Sequence, residues 1–352
     1  MSEFELIVIG AGVVGLASAA RAEAAGISSL CLLEAGDRVG AESSAGNRRI
    51  FRRIHDDRQL TALATKTVPA WRELEADHDR QFLFQVGHLF RSARAPEQLE
   101  PERLAAIAGI ESVSPEVVGA LAPLVADRNN CLLDRSGGWI DSRALISAFR
   151  TALATKTVCR TRVAKISRES GCFKVIATNG SIRRSRRLII AAGIDAGRLA
   201  PMVGLKPPRA RLSYHWRPLF RSEQKLSPGL ATVSLRSDAG ALYLLPISSN
   251  EVAIGLGYPE GSSKHPFSAS AADPGPLANA AEQLRKQLLS GVGAEIGQTP
   301  TCPSIRLEQS SGSGSDSFWL DGCDGASAIL GGNLFKFAPK LAQLLLRASD
   351  RD

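Results

Sequence analysis

The chain has 352 residues and a mass of 37.4 kDa, with 44% hydrophobic and 22% charged residues. That size and balance fit a folded protein of two domains and exclude a disordered or fibrous chain. The net charge of +8 comes from basic residues that are scattered, apart from Arg48-Arg49, Arg52-Arg53 and the 183–187 run, and only 5% of residues are aromatic. Stacking platforms are lacking, so no nucleic-acid partner is expected. The basic surface suits steering of an acidic small molecule.

In chain order, the first apolar stretch runs from Leu6 to Ala20. It is too short to span a bilayer and is broken by glycines, so no membrane partner is expected. Glu3 and Glu5 stand where a secretory signal carries positive charge, which gives the expectation of a cytoplasmic protein. Residues 5–10 form a continuous apolar run, the pattern of a strand buried in a parallel sheet. Gly10-Ala11-Gly12-Val13-Val14-Gly15 follows, matching GxGxxG, then an alanine-rich helix to Ala25 closed by Gly26, then a second strand over Ser29–Leu33 ending in Glu34. In such a unit Gly10 permits the tight turn, Gly12 lets a pyrophosphate approach the backbone, and Gly15 lets helix and strand pack closely. The helix N-terminus favours the diphosphate. Glu34 accepts the ribose hydroxyls of an adenosine and disfavours NADP. A dinucleotide site is therefore expected at the N-terminus.

Further along, the arginine run of 48–58 is broken by Asp56 and Asp57, and from its residues alone reads as a solvated face. The apolar runs 241–245 and 251–258 read as paired strands around a Ser248-Ser249-Asn250 turn, with Tyr243 a core residue by composition. Leu277 to Leu289 reads as an amphipathic helix. Lys336, between Phe335 and Phe337 and just before a helix with Leu341, Leu344 and Leu345, reads as a buried cation at a helix start. The six cysteines show no CxxC pair, and most are expected to be buried small hydrophobes; no metal-ligand spacing occurs.

Four further stretches carry a family resemblance: the segment from Gly40 to Arg53; Gly137-Gly138-Trp139-Ile140-Asp141 with 144–149; the runs 158–166, 173–177 and 188–193; and 331–339 with its Leu-Phe-Lys-Phe. In this order they resemble the monomeric sarcosine oxidase and N-methyltryptophan oxidase family, within the D-amino-acid-oxidase superfamily of FAD enzymes. The resemblance implies an α/β protein in which a Rossmann-like FAD-binding domain (1–80, 139–205 and 300–352) is interleaved with an α+β substrate domain on a mainly antiparallel sheet (81–138 and 206–299). It implies FAD contacts from Gly10, Gly12, Val14, Gly15, Glu34, Ser44, Arg49, Val163, Gly193, Cys302, Gly332, Leu334, Phe335 and Lys336. Arg49, Arg52, Lys336 and Tyr243 match catalytic positions, with Arg52 orienting a substrate carboxylate. Cys302 lies near the spacing of the cysteine that carries flavin covalently, but Ser304 replaces the expected tyrosine and Pro303 intervenes, so non-covalent FAD is favoured.

The resemblance implies oxidation of a C–N bond in an amine or amino acid, secondary or cyclic amino acids being favoured, to an imine by hydride transfer to flavin N5. One departure stands out. Gly255 and Pro259 occupy the places of the family's oxygen-activating lysine and a nearby histidine, leaving oxygen or another electron acceptor open. His215 falls where the chain re-enters the substrate domain and reads as a packing residue. Two alternatives are a flavin-dependent hydroxylase, against which Asp321-Gly322-Cys323-Asp324-Gly325 stands in the wrong context, and a flavin-holding subunit of a larger dehydrogenase complex.

Overall fold

The computed structural model describes residues 3–55, 58–91, 109–126, 128–129, 131–215, 217–237, 240–257, 282–283, 285–297, 302–308 and 317–350. The apolar run Glu3–Ile9 is the central strand of a sheet ordered Val163–Glu169, Cys172–Ala177, Ile182–Ile190, Glu3–Ile9, Leu30–Leu33, Thr157–Val158. Glu3–Ile9 runs parallel to both neighbours. The strand Ala326–Gly332 joins the other end of Ile182–Ile190 in parallel and hairpins with Ser317–Cys323.

Successive side chains of a strand face opposite ways, and here both faces are dry. Leu6 and Val8 enter one core with Leu16, Leu32 and Ile189; Ile7 and Ile9 enter another with Leu33, Phe173 and Ile190. The first core lies beneath the helices Val13–Ala24, Ser142–Ala152 and Ala338–Ala348. The 158–166 run, expected to act as strand, divides. Thr157–Val158 pairs with Leu30–Leu33, whereas Val163–Glu169 pairs with Cys172–Ala177. Arg160, at φ 53°, turns the chain between them.

A second sheet is ordered Val292–Glu295, Leu219–Ser222, Glu251–Gly257, Gly240–Pro246, Thr232–Ser237, His88–Arg91, Cys131–Asp134, Ile110–Val113. All its pairings are antiparallel except that of Thr232–Ser237 with His88–Arg91. The hairpin expected around Ser248–Asn250 is present. Of the expected 277–289 helix, residues 277–281 and 284 lie outside the described residues, and 285–288 are helical. One face of this sheet is apolar: Leu89, Leu133, Val233, Leu235, Leu242, Leu244, Val252 and Ile254 share a core. By alternation the other face presents His88, Asp134, Thr232, Ser234, Tyr243 and Gly255.

That second face meets the small sheet of Arg48–Phe51, Gly138–Asp141 and Leu83–Phe84. Asp134 and Arg53 join the two. Asp134 Oδ2 accepts from the Arg53 backbone N–H at 2.8 Å, while Oδ1 accepts from Arg53 Nε and Nη2 at 2.9 and 2.7 Å. Both residues are buried. The arginine run is thus no solvated face, because its fold partner lies 81 residues away. Arg48 is likewise half-buried: its guanidinium stacks 3.6 Å over Trp139, which stacks on Phe84, and Nη1 donates to Pro246 O. Burial pushes the Arg48 pKa down, opposed by Asp141.

Cys31 and Cys131 are buried, as expected, and burial raises the Cys31 thiol pKa. Cys159, Cys172 and Cys323 depart from the expectation, being only half-buried. Replacing Asp134 by alanine leaves the Arg53 charge buried without its partner, so D134A is predicted to lose about 3–5 kcal/mol of stability, read by denaturant unfolding. A loss below about 1 kcal/mol would contradict this account of the sheet junction.

Candidate active site

The N-terminal motif forms a cradle that only glycine permits. A Cβ on Gly15 would stand 1.8 Å from Gly10 O, and one on Gly10, at φ 99°, would stand 2.4 Å from Ala191 O. Strand, helix and the Ile182–Ile190 strand end therefore meet backbone to backbone. Above Gly12 there is room: the nearest atom to a Cβ there is Ser44 Oγ, at 3.4 Å. Ser44 Oγ accepts from the Val13 N–H at 2.9 Å, tying the 40–47 loop to the first turn, where Val14 is buried. Glu34 closes the other side. Its Oε2 accepts from Ala11 N and its Oε1 from Gly36 N, at 2.9 and 2.7 Å. A carboxylate pinned against a glycine turn and an open helix N-terminus fit the ribose and diphosphate of an adenine dinucleotide.

The remaining residues expected from the sequence fall on several elements. Val163 is buried, its carbonyl accepting from Arg198 Nη2. Gly193, at φ 57°, opens the turn after Ile182–Ile190. Gly332 ends the Ala326–Gly332 strand, Asn333 takes the left-handed conformation, and Leu334–Phe337 forms a 3₁₀ turn into the helix Ala338–Ala348. Cys302 begins the strand Cys302–Leu307, paired with Ala210–His215; its side chain and that of His215 lie outside the described residues. Among the described residues no His, Cys, Asp or Glu cluster could hold a metal ion.

Lys336 is buried, as its aromatic neighbours require. Its backbone carbonyl accepts from Trp71 Nε1 at 3.0 Å, so the helix Arg58–Asp77 fixes the turn. Its Nζ lies 5.3 Å from the Phe337 ring centroid, and His55 packs on that ring at 5.7 Å. His55 Nε2 is 3.2 Å from Arg52 O, and Arg52 Nη1 donates to Ile54 O at 2.8 Å. The charges of Arg52, Lys336 and His55 all act on His88, which burial above all, and these cations next, push well below its ordinary pKa. His55 and Phe337 thus bring Arg52 and Lys336 onto one patch. His88 carried no signal in the sequence beyond its place in an alternating strand.

Arg49 lies nearer the cradle. Its guanidinium stands 5.7 Å over the Phe335 ring and donates to Ala45 O and Ser43 O. Gly46, at φ 117°, leaves space that a Cβ would contest with Arg49 Nη1 at 2.6 Å and Arg217 Nη2 at 2.9 Å. Arg217, unmarked in the sequence, donates to Arg48 O at 2.8 Å. Tyr243 is only half-buried, not the core residue its composition suggested, and pairs across the hairpin with Gly255. A Cβ on Gly255 would lie 1.7 Å from Tyr243 Cζ, so the phenol ring occupies the place of any side chain at 255.

The comparisons accord with this geometry. The family model described as FAD dependent oxidoreductase matches residues 5–336. Monomeric sarcosine oxidase from Bacillus sp. (strain B-0618) is 25% identical over 219 residues, spanning 59% of this chain and 55% of that protein. Among solved structures, NikD, described as an unusual amino acid oxidase essential for nikkomycin biosynthesis, superposes with a TM-score of 0.80 at 17% identity, covering 99% of this chain and 94% of that one. L-proline dehydrogenase from P. horikoshii (TM-score 0.72, 17% identity, 98% and 92% coverage) and glycine oxidase from Geobacillus kaustophilus (0.72, 18%, 100% and 96%) share the fold. With a glycine cradle, a pinned acidic residue and a family match over nearly its whole length, this chain belongs to the FAD dependent oxidoreductases.

Proposed function

We propose that this protein oxidises the C–N bond of an amino acid, secondary or cyclic amino acids being the favoured class, to an imine that water then hydrolyses. The observation that carries the reading is the pair of cations gathered around His55 and Phe337, a half-buried Arg52 and a buried Lys336. Two cations at the junction with the FAD cradle suit a small substrate bearing a carboxylate beside its nitrogen. On this reading the segments 1–80, 139–205 and 300–352 form the FAD-binding domain, and 81–138 and 206–299 the substrate domain.

FAD, when bound, would supply the redox chemistry, the acceptor for a hydride equivalent from the carbon next to nitrogen. The chain's own residues bind and orient. Gly10, Gly12, Val14, Gly15, Ser44 and Glu34 would hold the adenosine diphosphate half, together with Val163 and Gly193. Arg49, Gly332, Leu334 and Phe335 are the residues that would hold the ring system. Arg52 forks onto the substrate carboxylate, and Lys336 supplies positive charge in a dry site where it acts strongly. Tyr243 closes the pocket from the sheet side. Because its ring covers Gly255, no cation reaches the site from that strand. That supports slow reaction with oxygen and a separate natural electron acceptor. Cys302 is read as a thiol without a flavin bond.

Anaerobic titration of the purified holoenzyme with amino acids and their decarboxylated amines tests the function. Bleaching of the visible flavin band by a secondary amino acid such as proline or sarcosine, but not by pyrrolidine or dimethylamine, is the expected outcome, with slow recovery in air. Bleaching by no amino acid contradicts the reading. Lys336→Met, which keeps length and loses charge, is predicted to lower kcat/KM by about 10²–10³ in the same enzyme. Glu34→Gln keeps the shape but weakens ribose binding, and gel filtration should strip FAD from it at a protein concentration where wild type stays yellow. Wild-type flavin retention in the Glu34→Gln protein would remove Glu34 from the cofactor site.

A further inference from the structure

Arg217 carries a guanidinium of which the architecture uses only one arm. It lies just ahead of the strand Leu219–Ser222, where Pro218 O accepts from Ile254 N at 3.0 Å and so fixes the segment to the strand Glu251–Gly257. Nη1 donates to Arg48 O at 2.8 Å. Nη2 stands over Gly46: a Cβ on that glycine would lie 2.9 Å from it and 2.6 Å from Arg49 Nη1. The two guanidinium ends therefore converge on one spot from different elements. Arg49 comes from the strand Arg48–Phe51 and Arg217 from the edge of the antiparallel sheet.

That spot is both anchored and open. Ser142 Oγ donates to Gly46 O at 3.0 Å, which holds the loop, while Gly46 is exposed and both arginines are half-buried. Arg49 is occupied on the loop side, donating to Ser43 O at 3.3 Å and to Ala45 O. Nη2 of Arg217 has no hydrogen-bond or ion-pair partner among the described residues. Two like charges gathered at one glycine repel, and an anion between them turns that repulsion into attraction. One hydrogen bond to a carbonyl does not call for a fork of donors; capture of a carboxylate does.

The same spot neighbours the cations already assigned to the substrate. Arg49 stands 5.7 Å over Phe335 and Lys336 Nζ lies 5.3 Å from the Phe337 ring, so the single turn Leu334–Phe337 carries both patches. Arg52 with Lys336 is enough for one carboxylate. A further guanidinium arm left open beside them fits a second anionic group on the same small molecule. We propose that Arg217 is a specificity-determining residue whose Nη2 binds a second substrate carboxylate, so that the preferred substrates are dicarboxylic secondary amino acids. The proposal rests on the amino-acid reading above and narrows its substrate class.

The test titrates wild-type, R217Q and R217K holoenzymes with diglycolate, an ether dicarboxylate with no nitrogen to oxidise, and with methoxyacetate, its monocarboxylate counterpart. Binding is read from the perturbed visible flavin spectrum, and flavin content after gel filtration is measured alongside. Wild type is expected to bind diglycolate about tenfold more tightly than methoxyacetate, the scale of one charge-assisted hydrogen bond. R217Q is expected to lose that preference while keeping wild-type flavin content, and R217K, which keeps the charge, to retain more of it than R217Q. Equal wild-type affinity for the two ligands overturns the proposal and leaves the amino-acid reading standing, as does an R217Q protein with the full preference. Identical behaviour of R217Q and R217K assigns Arg217 to holding the loop, and loss of FAD from R217Q assigns it to a cofactor phosphate; either result overturns the proposal. If wild type binds neither carboxylate, the amino-acid reading itself fails and takes the proposal with it.

Discussion

The buried ion pair of Arg53 and Asp134 fixes where everything else in the candidate site lies. It ties the strand segment that carries Arg49 and Arg52 to the antiparallel sheet that carries His88, Thr232 and Tyr243. The Arg53 backbone N–H contributes as well as its guanidinium, so the joint sets chain position and not merely side-chain proximity. A hydrophobic contact could hold the same surfaces together but would not fix their register so sharply, since apolar packing is non-directional. The Arg48–Trp139–Phe84 stack and the Arg48 bond to Pro246 O reinforce the joint a few residues away.

Given that joint, the site is an electrostatic arrangement more than a set of reactive groups. Trp71 and the helix Arg58–Asp77 hold the Lys336 carbonyl, while His55 rests on Phe337 beside it. Positive charge gathers here from the buried Lys336 and the half-buried Arg49 and Arg52, and the buried unit acts more strongly than it would in water. The proposed chemistry asks for nothing more from the protein, because the redox step belongs to the cofactor and the chain supplies orientation and charge. The Tyr243 ring over Gly255 sets the limit of that arrangement: the hairpin gives the pocket an aromatic wall where a longer side chain would need other space.

Local constraints in this chain were legible, and distant ones were not. Gly10 and Gly15 could be read because each is forced by backbone atoms a few residues away or on an adjacent strand of a familiar unit. The burial of Lys336 followed from Phe335 and Phe337, its own neighbours. The hairpin turn at 248–250 implied the pairing of Tyr243 with Gly255, but not that the ring would lie across the glycine. The arginine run misled, because composition cannot tell a solvated charge from one paired across 81 residues. His88 and Arg217 were silent for the same reason: their meaning depends on which strands meet, and a parallel pairing such as Thr232 with His88 joins residues far apart in sequence.

A crystal structure of the holoenzyme with a bound, non-oxidisable ring carboxylate tests the central claim most directly. The account predicts the carboxylate on Arg52 and Lys336, with the ring lying between the FAD cradle and Tyr243. A carboxylate seated elsewhere, with Arg52 and Lys336 turned away from it, would contradict the assignment of the sheet junction as the substrate site.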